Sequence, residues 1–133
     1  MIVVDASGVL EVLLRTRLGS QVEESIFAPG ETLHAPHLID LEVIQVLRHL
    51  ESRSEVSRRR ANVALETFNS IRLNRYPHTA MLARIWELRR NLTSYDAAYV
   101  ALAEALNAPL LTCDRALSAA PGIRVRVRVI PEL

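Results

Sequence analysis

The sequence predicts a three-layer α/β domain with a central parallel sheet flanked by helices. Three observations carry that expectation. Met1 to Val4 is a continuous apolar run rather than an alternating one, as a strand covered on both faces requires, and Leu110 to Asp114 repeats its pattern. Strand-like and helix-like segments alternate through most of the chain, the order that parallel βαβ units impose. Met1-Ile2-Val3-Val4-Asp5 and Leu110-Leu111-Thr112-Cys113-Asp114 also each end in an aspartate, at the carboxyl edge where open parallel sheets bind their ligands.

Taken in order, the run to Val4 is the first strand, and Val9, Leu10, Val12, Leu13 and Leu14 make an apolar helix after it. Asp5 is equally well placed to cap that helix. A second helix is expected over Ser20 to Phe27, closed by the Pro29-Gly30 turn. Thr32 to Ala35 reads as a short strand ended by Pro36. Leu38, Ile39, Leu41, Val43, Ile44, Val46, Leu47 and Leu50 then form a helix apolar nearly all round, which predicts burial. Glu42 is the anomaly within it, since a buried carboxylate needs an arginine partner or a metal.

Ser54 to Phe68 predicts a further helix, with Arg58, Arg59 and Arg60 on a solvated stretch. Ser70 to Arg75 reads as a strand, and Pro77 starts a helix running to Arg90 whose Trp86 is core or a partner-facing anchor. The alanine-rich stretch from Thr93 to Leu106 is a strong helix. Thr93 as N-cap with Asp96 three residues on resembles a capping box, so Asp96 has a structural use as well. Leu110 to Asp114 repeats the opening pattern, with Cys113 a buried spectator, and a short helix follows over Arg115 to Ala120. The tail from Ile123 to Ile130 alternates, valines on one face and Arg124, Arg126 and Arg128 on the other. It predicts a half-exposed edge strand whose arginines discourage aggregation or bind phosphate.

The 133 residues, half of them hydrophobic, fit a single domain spanning 1–133 without a linker. Sixteen basic and 15 acidic residues nearly cancel, so any nucleic-acid contact must use a local patch. A single cysteine excludes an internal disulfide and a multi-cysteine zinc cage. All the basic residues other than histidine are arginine, which excludes a P-loop and any catalytic lysine, and counts against a receiver-like phosphoacceptor domain. The apolar N-terminal run is too short for a signal peptide or a membrane span, so a cytoplasmic protein without membrane attachment is expected.

Asp5, Glu42, Asp96 and Asp114 can all face one cleft at the carboxyl edge of such a sheet. Each has a structural explanation taken singly, but one acidic metal site accounts for all four. Carboxylates without a cysteine or histidine cluster select hard cations, so Mg2+ or Mn2+ is expected, suited to phosphodiester hydrolysis. A phosphatase on a similar sheet lacks its Asp-x-Asp motif here, because residue 7 is Ser.

The segments Val4-Asp5-Ala6-Ser7, Leu41-Glu42-Val43, Ser94 to Ala103 with Asp96 near its start, and Leu111-Thr112-Cys113-Asp114 resemble PIN-domain ribonucleases, specifically VapC-type toxins. The resemblance spans the whole chain, and its most specific parts surround Asp96 and the Thr-x-Asp near the end. It implies a three-layer PIN-like domain in which Asp5, Glu42, Asp96 and Asp114 are catalytic metal ligands supported by Ser7 and Thr112. It implies also an RNA substrate, a homodimer and a cognate antitoxin protein. The family's frequent additional acid just past the last one is missing between Arg115 and Ala120. A catalytically inert PIN-like module that binds protein or RNA is the alternative.

Overall fold

β1 (Ile2–Val4) occupies the centre of a five-stranded, wholly parallel sheet in the computed structural model, which describes residues 1–132. Its neighbours are β2 (Leu33–Pro36) on one side and β4 (Leu110–Thr112) on the other; β3 (Leu73–Tyr76) and β5 (Val127–Val129) form the edges. Ile2, Val3 and Val4 are all buried, as the unbroken apolar run requires of a strand covered on both faces. The expected parallel three-layer α/β arrangement is therefore observed.

α1 (Ala6–Leu13), α2 (Arg17–Ile26), α3 (Leu38–Ser52) and α4 (Arg58–Ser70) pack on one another, while α6 (Ser94–Leu106) lies across β1, β2 and β4 with α5 (Leu82–Glu87) against it. α7 (Arg115–Ser118) packs on β5. The first turn of α1 comes close to the sheet: a Cβ on Gly8 would lie 3.2 Å from Leu111 Cδ2 and 3.3 Å from Val4 Cγ2. A larger residue there would push the helix that follows Asp5 away from β4.

Several boundaries differ from expectation. α2 begins earlier, at Arg17, because the Thr16 hydroxyl accepts from the Gly19 amide and caps it. β2 includes Pro36, which lies beyond the stretch paired with β1 and meets Tyr76 of β3 alone. The helix expected from Pro77 is broken into a 3-10 turn (Thr79–Met81) and the short α5, with Met81 and Leu88 buried at its ends. The tail does form an edge strand, but only Val127–Val129 pair with β4.

α3 requires a correction. Only Ile39, Val43 and Leu47 are buried, a narrow stripe at four-residue spacing, while Leu41 is 68% and Ile44 46% exposed. Apolar residues around the whole circumference do not, in this helix, report burial. Trp86 likewise is not core: it is 67% exposed, with the Arg89 guanidinium over its ring 4.4 Å from the centroid.

Candidate active site

Four chain segments, carrying Asp5, Glu42, Asp96 and Asp114, converge at the carboxyl edge of the sheet. Asp5 follows β1 and Asp114 follows β4, so the parallel register delivers both to one edge. Each is also the N-cap of the next helix: Asp5 accepts from the Gly8 amide and Asp114 from the Ala116 amide. The capping and edge-placement readings hold together.

Asp5 is 7% exposed and bound on both oxygens. Its Oδ1 accepts the Ser7 hydroxyl at 2.6 Å and the Gly8 amide at 3.1 Å, and its Oδ2 accepts the Thr112 hydroxyl at 2.5 Å. Each hydroxyl has one proton and directs it to Asp5. Both hydroxyl oxygens are then free to accept, and they do, from the amides of Cys113 and Asp114 at 3.0 Å each. Ser7 and Thr112 thus tie the loop carrying Asp114 to the end of β1. Cys113 is half-buried, and burial pushes its thiol up to about 11, which keeps it protonated near neutral pH.

Asp96 sits in the first turn of α6, whose Thr93 cap accepts the Asp96 amide at 3.1 Å. Glu42, half-buried on α3, takes the Tyr99 hydroxyl at 2.6 Å on Oε1 rather than an arginine. Two residues earlier, Asp40 does pair with a cation, Arg75, at 2.8 Å. Sequence reasoning assigns Tyr99 no role; the available signal is a second tyrosine in an alanine-rich helix, one turn beyond Asp96.

The electrostatics set Asp5, Glu42 and Asp96 apart. Burial pushes the Asp5 carboxyl above the usual carboxylate range, against its three hydrogen bonds and with a contribution from Asp96. Burial also raises Glu42, opposed by the Tyr99 hydrogen bond and reinforced by Asp96 and Asp5. Asp96 is raised by burial and then by Asp114. Each of the four acids lies close enough to another for their charges to interact. Among the described residues, none of them makes an ion pair.

As the side chains stand, no three acidic, histidine or cysteine groups among the described residues are gathered closely enough to hold a metal ion. The donor set nevertheless fits a hard cation in kind: it is entirely carboxylate oxygen, partly buried, and lacks a neutralising arginine. Cavity volume does not mark this place. A cavity of 440 Å³ lies instead at the opposite, amino-terminal edge, lined by Glu104, Asn107, Arg124 and Arg126 among others.

The candidate arginines are dispersed. Arg58, Arg59 and Arg60 are exposed at the start of α4, and Arg60 donates to the Leu14 carbonyl at the far end of α1. Arg124 and Arg126 are exposed, whereas Arg128 reaches Ser25 and Glu132. The structure does not bring either group together with the four acids.

A PIN domain family model matches residues 2–123, spanning all four acids. The chain belongs to the PIN domain family. The VapC ribonuclease Mb0985 of Mycobacterium bovis is 44% identical over 131 residues, 98% of this chain and 99% of its own length. Ribonuclease VapC1 of Mycobacterium tuberculosis is 40% identical over 129 residues, covering 96% of each chain. The VapC kinship expected from the motifs around Asp5, Asp96 and Asp114 is therefore borne out. Two solved structures share the PIN domain fold: PAE2754 from Pyrobaculum aerophilum, with a TM-score of 0.70 at 24% identity over 95% of this chain and 81% of that one, and VapBC2 from Rickettsia felis, solved with a promoter DNA fragment, with a TM-score of 0.71 at 16% identity over 97% and 98%.

Proposed function

We propose that this PIN domain is an endoribonuclease that depends on Mg2+ or Mn2+ and is the toxin of a type II toxin–antitoxin pair, acting in the cytoplasm. The observation that carries the reading is the concentration of carboxylates without ion-pair partners at one sheet edge, with Asp5, Glu42 and Asp96 all raised. A protein gains nothing in stability from burying mutually repelling acids. A bound dication offsets both the burial and the repulsion.

Asp5, Glu42, Asp96 and Asp114 would hold the metal, which when bound supplies an activated water and stabilises the leaving oxygen of a phosphodiester. Gathering these donors requires rotation of the Asp96 and Asp114 side chains, which project from first turns and caps. Ser7 and Thr112 hold Asp5 in one orientation by hydrogen bonds to both its oxygens. Their donation favours the charged carboxylate that a cation needs. RNA phosphates would be met by Arg58, Arg59 and Arg60 or by Arg124, Arg126 and Arg128, the concentrations of positive charge in a near-neutral chain.

The partners follow from exposed apolar surface. Ile44 and Leu65, with Leu47 and Ala61, line a 160 Å³ groove between α3 and α4, suited to the apolar face of an antitoxin helix. A basic antitoxin side chain would then neutralise Glu42 and Asp96. Leu82, Trp86 and Tyr95 form a second exposed group, suited to another copy of the chain in a homodimer. The relatives named VapC and the VapBC2 structure support this reading.

Incubation of the purified protein with total RNA, with and without Mg2+, and sequencing of the new ends tests it. Cleavage should appear with the metal and vanish in excess EDTA. Undiminished cutting in EDTA would remove the metal from the mechanism, and intact RNA under both conditions would leave an inert binding module.

A further inference from the structure

Glu42 is the only one of the four acids held by an aromatic hydroxyl. Tyr99 is 1% exposed, and its Oη donates to Glu42 Oε1 at 2.6 Å. Tyr99 itself lies one turn beyond Asp96 on α6. One buried hydroxyl therefore connects α3, which carries Glu42, to α6, which carries Asp96.

The chemistry of the donor matters. A glutamate carboxylate swings on three torsions, and a single fixed oxygen restricts that motion. An arginine would fix it too, but would cancel its charge and repel an incoming cation, as Arg75 does for Asp40. A neutral phenol holds the group and leaves its charge in place. Glu42 Oε2 has no hydrogen-bond partner among the described residues, so it remains open to a ligand.

We propose that Tyr99 is a positioning residue that fixes the Glu42 carboxylate for metal binding through its hydroxyl. This rests on the nuclease reading above and adds to it a residue outside the acidic set. The ring fills the core and the hydroxyl orients the ligand, so the two roles separate in Tyr99→Phe, which keeps the ring.

The test uses Mn2+ as the probe, titrated into full-length protein and followed by paramagnetic resonance, beside steady-state cleavage of a short RNA. Tyr99→Phe should fold as wild type by near-ultraviolet circular dichroism, weaken Mn2+ binding by about tenfold and lower kcat by a similar factor, with KM for RNA unchanged. Glu42→Gln should weaken Mn2+ binding at least as much, and adding Tyr99→Phe to it should weaken it no further. A Tyr99→Phe protein that binds Mn2+ and turns over like wild type, or a double variant whose losses add in full, overturns the role of Tyr99 while the nuclease reading stands. Wild-type protein that neither binds Mn2+ nor cuts RNA overturns that reading and this one with it.

Discussion

Two carboxylate environments in this PIN domain have opposite designs. At the carboxyl edge, Asp5 is held by two hydroxyls and an amide and Glu42 by a phenol, and burial with mutual repulsion raises both, and Asp96 with them. At the other, Glu104 meets Arg84 through two hydrogen bonds of 2.7 and 3.0 Å and accepts the Arg124 amide at 2.8 Å. Burial alone would raise Glu104, but the Arg84 guanidinium and the Arg124 amide hold it below the usual range. Arg84 further donates to Glu87 and to the Gly122 carbonyl, so the cluster fastens the chain before β5 to α5 and α6. At the amino edge the chain supplies a cation beside the acid that fastens the fold. At the carboxyl edge, among the described residues, it supplies none beside the four acids.

The sharpest way to break this contrast is to neutralise one acid from each side. Asp5→Asn is expected to lower RNA cleavage by at least about 100-fold, since even the groups supporting a metal ligand are worth roughly 10- to 100-fold. Its metal-free melting temperature should stay equal or rise, because a buried charge has been removed. Retained cleavage together with a retained response to Mg2+ would reduce Asp5 to a helix cap. Glu104→Gln should behave inversely, leaving cleavage unchanged while stability falls by about 2 kcal/mol, roughly 8 °C in melting temperature. A Glu104→Gln protein that melts like wild type would show that the contrast has no energetic basis.

Titration sharpens the same comparison on a smaller scale. The raised acids bind protons in the folded state that the unfolded chain has already released, so their stabilisation is present below the unfolded carboxylate values and is lost as pH rises through the folded ones. Glu104 contributes oppositely: its stabilisation is present above the unfolded value and lost as pH falls through the lowered one. Mg2+ binds the charged forms, so the rise in melting temperature on adding it should be larger at about pH 8 than at about pH 5. An increment independent of pH would detach the metal from these acids.

The smallest effect concerns the arginines. Replacing Arg58, Arg59 and Arg60, or Arg124, Arg126 and Arg128, with glutamine should flatten the salt dependence of RNA binding by about one slope unit for each phosphate the variant no longer neutralises. Filter binding across a salt series measures it, and an unchanged slope in both variants leaves them as solvated surface.

What could be read from the sequence followed physical uniqueness. β1 and β4 were legible because little besides a buried parallel strand produces an unbroken apolar run ending in aspartate, and α6 because alanine and a Thr93 cap act locally. The placement of the four acids followed from those elements together with the parallel order. α3 misled because exposed apolar side chains on a helix look the same, in one dimension, as buried ones; Leu41 and Ile44 differ from Val43 only by rotation about the axis. The partner of Glu42 was illegible for a related reason: Tyr99 is 57 residues away, and only the folded sheet brings α3 and α6 together. The break between Met81 and Leu82 likewise reflects tertiary anchoring more than local propensity.

The hydrogen bond from Thr112 to Asp5 spans 107 residues. Asp5 therefore leaves the ribosome well ahead of the strand that completes its surroundings. A growing chain carries Asp5 and Glu42 long before it has the element that orders the first of them. Such a nascent chain has no finished site while it is attached to the machinery that translates RNA, and full assembly awaits emergence of β4. The fold's own connectivity thereby delays the ordering of Asp5 until β4 has been made.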